Sequence, residues 1–271
     1  MLTQAGTRNA ADVVRQAAVS QAANGVCYAS AGETAISAAD LERLVAAVPK
    51  SIAGALNKKA YYFVPLAVGQ GDETLIAEHY DVALSDQAVC HRNLTLGNSQ
   101  CVFISTRLMD DKFSVAFEFY INVGHAFVEH AGVSQELADL VWKQAQARVR
   151  GETSLDAWEF RRQALPASAA SKTKATAING RATDETPDGA KATDEKNTDE
   201  KAKSSYLNAA FADAIAIYML SLYLDVDYYD LREREYPLLS PASMAERLRK
   251  IAELFPPNPG YEFAIYYRRR T

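Results

Sequence analysis

Three scarcities frame this 271-residue chain. It has no excess of basic charge: 29 Lys and Arg stand against 34 Asp and Glu, a net charge of −5, so no global positive field draws it to nucleic acid or to an anionic membrane. It has three cysteines, Cys27, Cys90 and Cys101, with no CxxC spacing. That pattern suits a reducing compartment and excludes a zinc ribbon or a disulfide scaffold. Cys90 and Cys101 could meet across a hairpin, and two core thiols are the simpler expectation. It also lacks long apolar runs. The stretches around Phe117 to Val128 and Phe211 to Leu224 are interrupted by Glu118, Asn122, His125, Asp213 and Ser221, short of the ~18 residues a membrane span needs. No apolar segment follows a basic N-terminal region, so no signal peptide is expected and the chain reads as soluble and cytoplasmic. The 48% hydrophobic and 23% charged residues are those of an ordinary globular protein.

Periodicity divides the chain. Ala10 to Ala23 reads as an alanine-rich helix, and Ser37 precedes a second with Leu41, Leu44 and Val45 on one face. Residues 1–58 are thus expected to form a helical segment packed on the main domain. From Tyr61 the pattern changes to short aromatic and aliphatic runs. Tyr61 to Val68 and Leu75 to Leu84, around Gly69-Gln70-Gly71-Asp72, predict a hairpin; Asn93 to Ser99 predicts a turn and Gln100 to Thr106 a strand. Together they predict one small antiparallel or mixed sheet. Asp110-Asp111 then offers a cap for a buried helix running to about His130 and ended by Gly132, and Leu137, Leu140, Val141 and Trp142 mark the next. Residues 59–165 are read as sheet plus helix.

Residues 166–204 have no aromatic residue and one large aliphatic, Ile178. Such a segment has too little apolar surface to offset the entropy of ordering, so a disordered insertion is expected. It carries a near-repeat, Ala182-Thr183-Asp184-Glu185 and Ala192-Thr193-Asp194-Glu195, with seven basic and seven acidic residues in balance. Residues 205–271 supply the remaining helices: Leu207 to Leu224, and one opening at Ser240-Pro241 with Met244, Leu248, Ile251 and Leu254, stopped by Pro256-Pro257. Tyr261 to Tyr267 reads as a terminal strand and Arg268-Arg269-Arg270 as a solvated tail.

Only four histidines are present: His79, His91, His125 and His130. On a helix, His130 lies ~140° around from His125, so the two cannot easily grip one metal, and the run misses the H-x-x-E-H spacing by one residue. His79 and His91, flanking a loop with Cys90, could bind a metal only if the sheet pairs them.

Read with its neighbours, Val115-Ala116-Phe117-Glu118-Phe119-Tyr120-Ile121-Asn122-Val123-Gly124-His125-Ala126-Phe127-Val128-Glu129-His130 resembles the active-site helix of zinc endopeptidases of the CAAX prenyl protease and heat-shock protease X type. Asn93 to Leu108 resembles the strand before that helix, Ala209-Ala210-Phe211-Ala212-Asp213 the E-x-x-A-D helix, and Ser240 to Leu248, with Glu246-Arg247, the later E-R segment. The resemblance runs from Tyr61 to Leu254 without the insertion and implies a zincin-like α+β fold. It also implies lost chemistry. The family's H-E-x-x-H supplies two zinc ligands and a general base; here those positions are Ile121, Asn122 and His125, and the third ligand position is Ala209. Asparagine takes up no proton near neutral pH, and one imidazole does not hold zinc. No catalytic residue, metal or other cofactor is therefore expected.

The leading expectation is an inactive zincin-like, pseudopeptidase domain with a binding or regulatory role. Gly124 would allow close helix packing and the retained Asp213 would hydrogen-bond His125. An extended peptide or protein segment would add to the Gln100 to Thr106 strand. Two rivals remain open: an active, zinc-dependent peptidase with ligands drawn from His125, Glu129, His130 and Asp213, and an α+β protein-interaction module unrelated to peptidases whose 166–204 segment carries the function.

Overall fold

Strand formation begins ahead of the alanine-rich stretch. The computed structural model describes residues 6–56, 58–70, 73–109, 111–165, 199–231 and 235–266. In it Thr7–Asn9 form strand β1, and the Asn9 side chain accepts from the Ala11 N–H to cap helix α1, Ala10–Gln16. The helix expected through Ala23 ends there. Ser20–Gln21 and Cys27–Ser30 instead form strands β2 and β3, paired antiparallel around Asn24-Gly25. The buried Asn24 amide donates to the Val45 and Val48 carbonyls, 2.8 Å each, so tertiary bonding overrides alanine's helix preference. Residues 1–58 are consequently not only helical, and β3 is an inner strand of the main sheet. Helix α2, Ala38–Ala46, is capped by Ser37 as expected; α3, Lys50–Ala53, leads into a short 3-10 turn at Gly54–Leu56.

Pro65 then divides one apolar run between two sheets. Strand β4, Lys59–Val64, stops at the proline, and β5, Leu66–Gln70, starts a hairpin with β6, Glu73–Ala77. A proline cannot donate to a ladder, which explains why the run is not one strand. Helix α4, Val82–Ser85, takes the end of the segment expected to be strand to Leu84. Strands β7 (Ala88–Val89), β8 (His91–Leu96) and β9 (Ser99–Ser105) follow, and the turn expected over Asn93 to Ser99 shrinks to Gly97-Asn98. Among the described residues there are two sheets rather than one: an antiparallel β1-β6-β5-β7, and a mixed β2-β3-β4-β9-β8 in which β4 runs parallel to both β3 and β9.

Among the described residues five longer helices follow: α5 (Lys112–Ala131), α6 (Gln135–Gln146), α7 (Leu155–Ala164), α8 (Glu200–Tyr223) and α9 (Pro241–Leu254). Asp111, Ser134, Ser154 and Asp199 each cap one of the first four through a side-chain oxygen. Glu200 to Ser204 are therefore helical, not part of an insertion; residues 166–198 lie outside the described residues, as do 267–271. No strand forms over residues 261–266, where the Tyr261 hydroxyl instead donates to the Arg43 carbonyl.

The large sheet separates two cores. Tyr61, Phe63, Val102 and Ile104 face α5 and α8, while Tyr62, Val64, Cys101 and Phe103 face α1 and the smaller sheet. This alternation follows from the two-residue period of strands. α8 is buried almost all round, which a helix apolar on every side requires. Among the described residues it alone is long and apolar enough to cross a membrane, and 78% of its apolar window is buried inside the protein. The architecture is α+β.

Candidate functional site

Helix α5 places Phe117, Ile121 and His125 four residues apart on one stripe, and α8 places Ala209 and Asp213 on another. The helices approach closely beside His125: a β-carbon on Gly124 would lie 2.5 Å from the Ala212 carbonyl oxygen. The two stripes wall a cleft of about 230 Å³. Its remaining lining comes from Thr153, Ser154 and Asp156 at the start of α7, and from Tyr236.

The α7 approach is held by a short parallel bridge. Glu152 pairs with Leu238, its N–H donating to the Pro237 carbonyl at 3.0 Å and its carbonyl accepting from Leu239 at 2.9 Å. Gly151 precedes it at φ 77, where an added β-carbon would fall 2.1 Å from the Leu238 carbonyl oxygen, so only glycine fits. The bridge delivers Thr153 over Asp213, and Thr153 Oγ1 donates to Asp213 Oδ2 at 2.9 Å.

Asp213 is 4% exposed at the cleft floor. Burial pushes its carboxyl up from 3.8 to about 6; hydrogen bonds from Ser154 and Thr153 pull the other way, and the charge of Glu152 outweighs that of Arg247. His125 is exposed, yet partial desolvation lowers the pKa of its imidazole, partly offset by the Asp156 charge and reinforced by His91. The expected hydrogen bond between His125 and Asp213 does not form: Thr153 and Ser154 occupy the carboxylate instead. No protein-family model, curated protein or solved structure matches the chain.

The structure thus gathers four of the five positions named by the resemblance, Ile121, His125, Ala209 and Asp213, around one cleft. Asn122, at the general-base position, is buried, and its amide turns back to the Glu118 carbonyl at 2.8 Å. The alternative ligand set is dispersed. Glu129 is exposed and pairs with Lys59 at 3.6 Å, His130 is exposed at the end of α5, and only His125 and Asp213 reach the cleft. Among the described residues no three His, Cys, Asp or Glu side chains are grouped as metal ligands. Ile121 and Ala209 supply no donor atom, so the residues present do not fit a zinc ion. His79 contacts Glu33 and His91 contacts Glu118, which separates the other histidine pair. Of the two thiols expected in the core, Cys101 is buried but Cys90 is exposed; both are free, and β8 sets Leu94, not Cys90, opposite Cys101.

Behind the cleft lies a polar network invisible to spacing arguments. Glu152 is fully buried; Arg247 Nη1 donates to its Oε2 at 3.0 Å, while Arg161 Nη1 and the Tyr206 hydroxyl donate to its Oε1 at 3.0 and 2.6 Å. Arg247 Nε also donates to Gln144 at 2.8 Å, and Gln144 Nε2 to Glu246 at 2.8 Å. Glu246 and Arg247, adjacent in sequence, therefore share Gln144, and Arg247 alone goes on to Glu152. Ser154 was readable as a helix cap, with Asp156 in the first turn. Nothing local marked Glu152 as the partner of an arginine on another helix.

Proposed function

We propose that the chain is a zincin-like domain that has lost peptidase chemistry and holds an extended peptide or protein segment, in a binding or regulatory role. The observation that carries this reading is the convergence of Ile121, His125, Ala209 and Asp213 on one cleft. The two pairs lie on different helices, α5 and α8, and were named together by family spacing alone. A buried carboxylate whose pKa is raised, placed on a cleft, fits a site better than it fits packing.

The strand that would receive the segment needs reassignment. Gln100 to Ser105 in β9 are paired on both sides, with β4 and with β8, so they offer no free edge. Strand β8 is the outer strand of that sheet among the described residues. The Ser105 N–H donates to the Cys90 carbonyl at 2.9 Å, which sets the ladder bonds at alternate pairs. His91, Asn93 and Thr95 therefore turn their backbone N–H and C=O groups outward. His91 contacts Glu118 of α5, so this edge runs beside the helix that walls the cleft. An extended segment can join such an edge through backbone hydrogen bonds alone.

Restoring the missing donors tests the register. The variant Ile121→His, Asn122→Glu, Ala209→Glu is expected to take up about one zinc per chain, measured by plasma mass spectrometry after dialysis, whereas the parent chain retains none. A folded variant that gains no zinc would refute the assignment. Stoichiometric zinc in the parent chain, lost with His125→Ala, would refute the inactive reading.

A further inference from the structure

Resting on that reading, we infer that the cleft takes a basic side chain of the bound segment, a lysine or arginine, with its aliphatic stem against Phe117 and Ile121 and its cation at Asp213. Two independent features point there. The first is shape: the cleft's space of about 230 Å³ is several times the ~30 Å³ share of one water, and its walls are largely aromatic and aliphatic. The second is the placement of charge. Asp213 is buried at the floor and Asp156 is exposed, and Phe117, Ile121 and Ala209 line the same cleft.

Other ligand classes fit poorly. Among the described residues no Lys or Arg lines the cleft, and desolvation disfavours the cationic form of its one imidazole, His125, so an anion would meet two carboxylates. The nearby guanidinium groups are committed elsewhere: Arg247 to Glu152 and Gln144, Arg161 to Glu152 and the carbonyls of Gly151 and Val149. A wholly apolar side chain would dehydrate Asp213 with nothing in return. A basic side chain matches both parts, because lysine and arginine carry an apolar stem that packs while the head seeks charge. Attraction between unit charges is several-fold stronger in a partly desolvated site than in bulk water.

The test uses blocked alanine heptapeptides carrying one central lysine, norleucine or glutamate, titrated calorimetrically into the full chain. n-Butylammonium, followed through the His125 imidazole resonances, probes the cleft without the backbone. The lysine peptide is expected to bind at least tenfold more tightly than the norleucine peptide, with the glutamate peptide weakest. Asp213→Asn should remove the lysine preference, and Asp156→Asn should reduce it without touching the buried floor. Equal affinity for lysine and norleucine would overturn the basic-side-chain assignment and leave segment binding standing. Movement of the His125 resonances by n-butylammonium with no peptide bound would support the cation site and overturn segment binding. Silence from all four probes would overturn both.

Discussion

The Asp213 carboxyl opposes folding at neutral pH, and the sign of that effect makes it measurable. Its pKa rises from 3.8 to about 6 on folding, so the folded chain holds this proton more tightly than the unfolded chain. The stability it contributes is complete below pH 3.8 and is lost as pH rises through about 6. About two units at 1.36 kcal/mol each correspond to ~3 kcal/mol. Asn in its place can still accept from Thr153 and carries no charge. Asp213→Asn is therefore expected to raise the unfolding free energy by ~2–3 kcal/mol at pH 8 and by little at pH 4. Urea denaturation at the two pH values checks this, and an equal gain at both would contradict it. At this scale the sequence was informative about which residues meet and uninformative about what they bond. Helical periodicity put Ile121 with His125 and Ala209 with Asp213, because i and i+4 share a face. It could not show that Thr153, sixty residues before Asp213 in the chain, would take the bond expected for His125.

Elements with a cap and a single period were the legible ones. α2, α5 and α9 begin and end close to where the sequence places them, since Ser37, Asp111 and Pro241 mark their starts. Strands were harder. Pro65 splits one apolar run between sheets, and β8 alternates exposed and half-buried residues in a stretch whose asparagines and glycine suggested only a turn. Parallel pairing of β3, β4 and β9 rests on contacts between distant segments, which no local pattern records. The crossing of α5 and α8 offers a sharper test. Gly124→Ala would place a methyl group 2.5 Å from the Ala212 carbonyl oxygen, and that oxygen belongs to backbone that cannot rotate away. The helices would have to part, at a cost of about 1–3 kcal/mol. A fall of several degrees in the thermal midpoint is expected, together with loss of cleft binding; an unchanged midpoint would mean the helices do not approach this closely.

Across the whole molecule, one buried carboxylate ties four helices together. Glu152, before α7, is reached by Arg247 of α9, Arg161 of α7 and Tyr206 of α8, while Gln144 of α6 bonds Arg247. Without Arg247 the carboxylate is still compensated by Arg161, whereas without Glu152 both guanidiniums stay buried with no countercharge, a loss of about 3–5 kcal/mol. Glu152→Gln should accordingly destabilise the chain more than Arg247→Met, measured by denaturant unfolding. If Arg247→Met is the weaker, the network is not organised around Glu152.

Tolerance of change is distributed very unevenly along this chain. An added β-carbon at Gly54 or Gly69 would meet nothing within 4 Å, whereas at Gly124 it would lie 2.5 Å from the Ala212 carbonyl oxygen. The same one-methyl substitution is therefore accommodated at the first two positions and forces backbone apart at the third. Descendants of this protein are free to gain a side chain at Gly54 and Gly69, and are held almost atom by atom where α5 crosses α8.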